Sequence, residues 1–156
     1  MVQISGEVVI ARPIEEVFAL LADARNEPLY NPRILKAEKV SPGPIRPGTR
    51  FEQTARAIGR TGQMMIEITE YVPPRRLSLI TRSSAMRVHG TDTFESLVGG
   101  TRARYSWDMR LTGLAVLLTP MFAVVGRRLE RGVWESIKRF LEQRPVTERL
   151  RPKEIP

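Results

Sequence analysis

The sequence contains no cysteine, which excludes disulfides, thiolate nucleophiles and any cysteine-based zinc or iron–sulfur site. Its one histidine, His89, excludes every multi-histidine metal centre. With three aspartates besides (Asp23, Asp92 and Asp108), metal donors are few and no metal is implied. Lysine is scarce as well: of 25 basic residues 4 are Lys and 21 are Arg. The longest uncharged run, Leu111 to Gly126, has 16 residues and includes Pro120, short of the ~20 that a membrane-spanning helix needs. Met1 to Glu7 lacks a basic segment followed by an apolar one, so no signal peptide is read and a cytoplasmic protein is expected. There is no P-loop, and Gly59-Arg60-Thr61-Gly62 reads as a hairpin turn rather than a dinucleotide fingerprint. No cofactor is implied. The chemistry left is that of carboxylates, hydroxyls and shape.

What is present suits one soluble domain. The chain has 156 residues, 42% of them hydrophobic and 27% charged, enough for a core without staples. A formal charge of +8 attracts nucleic acid, anionic membranes or acidic ligands without choosing among them. Val2 to Ala11 is rich in Val and Ile and predicts a strand, which Arg12-Pro13 ends. A helix follows over Ile14–Asp23, with Ile14, Val17, Phe18 and Leu21 on one face. Asn26, Pro28, Asn31 and Pro32 then predict a turn or a single-turn helix around Tyr30.

From Ile34 to Leu111 the pattern is strand after strand, parted by turn clusters at Ser41-Pro42-Gly43-Pro44, Gly59 to Gly62, Pro73-Pro74-Arg75 and Val98-Gly99-Gly100. With no helix-length segment between them, these strands predict an antiparallel meander. In the last, Ala103, Tyr105, Trp107, Met109 and Leu111 alternate with Arg102, Arg104, Ser106, Asp108 and Arg110, so one face is apolar and the other meets water. The cover for that face is expected from a long helix. Its apolar stripe runs Leu114, Leu117, Leu118, Met121, Phe122, Val125, Leu129, Val133, Ile137, Phe140 and Leu141, with Pro120 kinking or starting it. Arg127, Arg128, Glu130, Arg131, Glu135, Lys138 and Arg139 are assigned to the opposite, solvated face. The expected domain spans 1–144, and 145–156, with three prolines and five charges, is expected to be a disordered tail.

The order strand, short helices, six-strand meander, long helix resembles the START-like, birch-pollen-allergen-like helix-grip (SRPBCC) superfamily. Within it the chain is most similar to the polyketide cyclase/dehydrase and lipid-transport family. The residues that carry this are Val9 to Asp23, the Leu29-Tyr30-Asn31-Pro32 turn, Glu70-Tyr71-Val72-Pro73-Pro74-Arg75-Arg76-Leu77, Thr93-Phe94-Glu95 and Gly99-Gly100-Thr101-Arg102. The resemblance covers about residues 2–143. It implies an α+β helix-grip fold, a curved antiparallel sheet of about seven strands around a long C-terminal helix, with two short helices after the first strand. It also implies a cavity for a hydrophobic small molecule (lipid, quinone or polyketide-like). It implies no reaction and transfers no catalytic residue.

Strand parity then selects the side chains that face such a cavity: Phe51 and Gln53, Met64 and Ile66, Leu79 and Thr81, Asp92 and Phe94, and Tyr105, Trp107 and Met109. Phe122 and Val125 are expected to join them from the helix. Tyr30 is expected at the mouth, gating entry together with Phe122, while Gln53, Thr81 and Asp92 orient the ligand. Asp92 is the candidate acid or base, because a carboxylate in an apolar chamber keeps its proton to higher pH. An arginine partner, or a bulge at Gly90 that shifts the parity, would remove that role. His89 has the opposite parity and is expected in solvent.

Three functions fit these residues. One is binding of a hydrophobic small molecule; another is a cyclase or dehydratase that uses Asp92. The third is an interaction protein docking an anionic membrane or nucleic acid through its arginine-rich surface. Nucleic acid is disfavoured, since no RNP motif, GXXG loop or zinc site accompanies the charge. The residues do not fix the oligomeric state.

Overall fold

A computed structural model describes residues 1–57 and 59–143; the tail expected over 145–156 lies outside the described residues. Strand β1 (Val2–Ile10) ends at Arg12-Pro13, and helix α1 (Ile14–Ala22) buries Ile14, Val17, Phe18 and Ala22. Glu15 and Glu16 occupy its first turn, where their charges complement the helix dipole. A 3-10 turn, Ala24–Leu29, follows, with Asp23 accepting from the Arg25 N–H at its start and Tyr30 at its end.

The meander then runs through β2 (Ile34–Lys39), β3 (Arg50–Ala57), β4 (Arg60–Val72), β5 (Arg76–Arg82), β6 (Met86–Leu97) and β7 (Gly100–Leu111). All seven strands form one antiparallel sheet in the order β1-β7-β6-β5-β4-β3-β2. A second 3-10 turn, Gly113–Leu118, leads into helix α2 (Thr119–Glu142). Pro120 sits in the first turn of α2, where its missing N–H breaks no helical hydrogen bond. No helix among the described residues is long and apolar enough to cross a membrane.

Register sets the inner face of the sheet. Asp92 of β6 lies opposite Tyr105 on one side and Leu77 on the other; Gly90 lies between Trp107 and Leu79, and Val88 between Met109 and Thr81. Farther across, Ile66 pairs with Thr81 and Phe51. Glycine at two points of this face makes room for rings to lie flat. A Cβ on Gly90 would stand 2.9 Å from Trp107 Cδ2, and one on Gly6 would stand 2.6 Å from Tyr105 Cζ. Near α1 the face is filled by an aromatic group, with Phe18 packed 5.4 Å from Tyr71 and 5.7 Å from Phe94 between ring centres.

Helix α2 runs along β1, and it departs from the expected stripe. Its buried residues are Gly126, Trp134, Ile137 and Leu141, a face defined by steps of eight, three and four. Leu114, Leu117, Leu118, Met121, Val125 and Leu129 are instead exposed, between 40% and 87%. The reason is angular: Val125 is one residue, about 100°, away from Gly126, so it turns off the sheet when Gly126 turns toward it.

Candidate functional site

The side chains expected on the inner face divide into three groups. Phe51, Gln53, Ile66, Thr81, Asp92, Phe94 and Tyr105 are buried, as is Tyr30. Met64, Leu79, Trp107, Met109 and Phe122 are half-buried. Val125 is 41% exposed and does not face the sheet. His89 is exposed, as its parity requires.

Asp92 is 5% exposed. Pairing through β6 is continuous past Gly90 on both sides, so no bulge turns the carboxylate out. Its partner is not an arginine but the Trp107 indole, whose Nε1–H donates to Asp92 Oδ1 at 3.3 Å. Burial pushes the Asp92 carboxyl up to about 8, aided by the charges of Glu130 and Glu27 and opposed by the indole bond.

Those two glutamates are not among the residues that the sequence pattern selects. Glu130 lies on α2 four residues before Trp134, whose Nε1–H donates to Glu130 Oε1 at 3.2 Å. The series Gly126, Glu130, Trp134, Ile137, Leu141 has steps of four, four, three and four, which places Glu130 in the middle of the buried arc. Neighbouring charges at Arg127, Arg128 and Arg131 conceal it, and the spacing to Trp134 and Ile137 is the signal that finds it. Burial, with the charge of Glu27, pushes Glu130 up to about 7, against the Trp134 bond and the more distant Arg33. Glu27 comes from the 3-10 turn, where no periodicity points inward. Its Oε2 accepts from Gln53 Nε2 at 2.6 Å, and its Oε1 accepts from Asn31 Nδ2 at 3.1 Å. Burial raises it, although these bonds and Arg33 act the other way.

Four ionisable groups thus converge from three parts of the chain. Burial raises Tyr30 far above the usual phenol range, reinforced by Glu27, Asp92, Glu130 and Asp23 in that order. On its other side Tyr30 lines a surface depression of ≈ 290 Å³ with Pro28, Leu29, Pro32, Ser136, Arg139, Phe140 and Gln143. A gate made of Tyr30 and Phe122 together is therefore corrected. Tyr30 meets α2 near Phe140, and Phe122 lies 18 residues earlier, about 27 Å along the helix. A broader depression of ≈ 680 Å³ lies at the other side of the sheet, among Glu7, Arg76, Thr91, Thr93, Arg104 and Ser106.

The floor of the site is aromatic. The Tyr105 ring stacks on Trp134 with centres 5.0 Å apart and planes 7° apart. Asp92 and Glu130, each held by an indole N–H, therefore sit on a surface that can pack against a flat or extended apolar molecule. Among the described residues no group of three His, Cys, Asp or Glu is placed to hold a metal ion.

Comparison with known proteins agrees with this architecture. The family model described as polyketide cyclase / dehydrase and lipid transport matches residues 1–142. A START superfamily protein from Mycobacterium smegmatis superimposes with a TM-score of 0.78 at 14% identity, covering 90% of this chain and 97% of its own. TTHA0849 from Thermus thermophilus gives 0.77 at 22% identity, with 92% and 99% covered. The di-domain ARO/CYC BexL from the BE-7585A biosynthetic pathway gives 0.69 at 20%, covering 91% of this chain and 47% of its own. At these identities the likeness is one of fold. No curated protein matches the chain.

Proposed function

The chain belongs to the polyketide cyclase/dehydrase and lipid transport family, and from that premise we propose that it binds a hydrophobic small molecule between the inner face of its sheet and α2. The observation that carries this reading is the half-buried state of Leu79, Trp107, Met109 and Met64. These side chains stand on the same face as the buried Asp92 and Gln53 yet are left incompletely covered. Apolar surface of this kind gains roughly 25 cal/mol per Å² when a ligand covers it, and Gln53, Thr81 and Asp92 are the groups that orient the ligand. The test is tryptophan emission of a Trp134→Phe variant, titrated with a panel of lipids, quinones and polycyclic phenols. A saturable change from Trp107 is expected with at least one class. Silence across the whole panel, with the variant folded, would sink the reading.

A second reading concerns the 3-10 turn Gly113–Leu118 and the start of α2, and is favoured by a separate observation. Leu114, Leu117, Met121 and Val124 are exposed at 87%, 78%, 42% and 75%, in a run that carries no charge from Leu111 to Gly126. The exposed Arg127, Arg128 and Arg131 follow directly. An apolar patch with an arginine border suits an anionic bilayer, to which each arginine near the surface adds about 1 kcal/mol. The protein is expected to sediment with phosphatidylglycerol vesicles and not with phosphatidylcholine ones. A double variant Leu117→Glu, Val124→Glu is expected to lose this binding while Asp92→Asn keeps it. Equal sedimentation of the double variant would reject the patch.

A further inference from the structure

The interior polar site holds acceptors in excess. Besides the Tyr30 hydroxyl, its donors are Asn31 Nδ2, Gln53 Nε2 and the indole N–H groups of Trp107 and Trp134, and each of these four is already engaged with a carboxylate oxygen. Among the described residues no hydrogen bond reaches the second oxygen of Asp92 or of Glu130, and neither they nor Glu27 forms an ion pair. Arg33 acts on Glu27 and Glu130 from a distance without closing to one. Gln53 adds an independent sign. It is 1% exposed, and with its Nε2 committed to Glu27 its Oε1 is buried with no hydrogen-bond partner. Leaving such a group unsatisfied costs about 1–3 kcal/mol.

We infer that the molecule bound here is a hydrophobic amine, its ammonium seated among Glu27, Asp92 and Glu130 with Gln53 Oε1 accepting one of its N–H bonds. A neutral hydroxyl could satisfy one oxygen, but it would leave the carboxylates repelling one another. One ammonium places a positive charge between them and supplies up to three donors. The apolar remainder of the molecule would lie along Trp107, Leu79 and Met109. This inference rests on the ligand-binding reading above and specifies its substrate class.

The pH behaviour follows from the groups that face the site: Asp23, Glu27, Tyr30 and Arg33 from the segment after α1, Asp92 and Tyr105 from the sheet and Glu130 from α2. Burial holds protons on Asp92 to about 8 and on Glu130 to about 7. The incoming ammonium needs these groups ionised, so binding tightens as pH rises through that range and releases a proton near pH 7.

The experiment uses the full chain and three probes of equal length, decylamine, decanol and decanoate, below their micellar concentrations. At pH 8.5, calorimetry is expected to give decylamine an affinity about tenfold above that of decanol, the ratio of a charge-assisted to a neutral hydrogen bond. That ratio is expected to collapse at pH 5.5, where the amine is still charged and Asp92 and Glu130 are not. Glu130→Gln is expected to abolish the preference while decanol binding persists. Should that variant fail to fold, the pH series on the unaltered protein decides alone. Equal affinity for decanol and decylamine, or tighter decanoate, overturns the amine assignment and leaves the binding reading intact. A decylamine preference that is unchanged between pH 5.5 and 8.5 also overturns it, by placing the amine on the outer apolar patch. Failure of all three to bind overturns the amine assignment and leaves the binding reading to the panel titration above.

Discussion

Asp92 and Glu130 make the stability of the unliganded protein depend on pH in an unusual direction. Both hold protons in the folded state to about 8 and 7, far above the values of about 3.9 and 4.3 for unfolded chains. Between these limits the folded form binds more protons than the unfolded one. Their contribution is therefore complete below about pH 4 and is lost as pH rises toward 8, by up to about 1.4 kcal/mol per pH unit for each proton linked. Melting temperature is expected to fall from pH 5.5 to 8.5, and Asp92→Asn, which keeps an acceptor for the Trp107 indole, is expected to flatten the slope and melt higher at pH 8.5. A profile as steep in the variant as in the parent would remove Asp92 as its source. Gly90→Ala tests the floor on which Asp92 sits. Its Cβ would press on the indole at 2.9 Å, and a loss of about 1–3 kcal/mol in urea unfolding, with altered near-ultraviolet dichroism, is expected. Asp92 is legible from the sequence because β6 and β7 keep strict two-residue alternation across Gly90. Glu27 is not, since a 3-10 turn with a proline inside offers no period to read.

At the scale of elements, α2 is two objects joined end to end. From Trp134 onward it is anchored by buried Trp134, Ile137 and Leu141, and its C-terminal end is tied to the start of the chain. Lys138 Nζ donates to Val9 O at 2.8 Å, the Ala11 N–H to Glu142 Oε1 at 2.9 Å, and Arg12 Nε to Leu141 O at 3.0 Å. Before Gly126, Met121, Val124 and Val125 face outward. Ile137→Ala is accordingly expected to cost about 2–5 kcal/mol, whereas Val124→Ala is expected to stay within about 0.5 kcal/mol. Chemical denaturation of the two variants checks this, and equal losses would mean that Val124 is covered in solution. The strands and α1 are legible in the sequence nearly to their ends, because alternation and turn residues mark them. The helix is legible only in part: apolar residues at spacings of three and four include two neighbouring stripes, and hydrophobicity alone does not say which stripe a sheet covers. The glutamate at position 130 decides between them once Trp134 is known to be inside.

For the whole molecule, the decisive arrangement is that β1 lies beside β7 and at the opposite edge from β2. Val2 pairs with Met109 and Ile10 with Thr101, so the first strand takes its neighbours from the far end of the meander. The seven strands, their antiparallel sense and the C-terminal helix are all legible from the sequence. This closing pair is legible only through the family likeness, since no local pattern links position 2 to position 109. Contacts of such long range make folding slow for a chain of this size, and refolding from urea is expected in milliseconds to seconds rather than microseconds. The same arrangement governs what happens during synthesis. Ribosomes add about 5–20 residues per second, so Val2 to Ile10 emerges before β7 and stays without its partner for several seconds, until β7 has followed it out. Throughout that interval the growing chain carries an apolar strand with both edges unpaired, and that is when a chaperone, or a neighbouring nascent copy, has most opportunity to seize it.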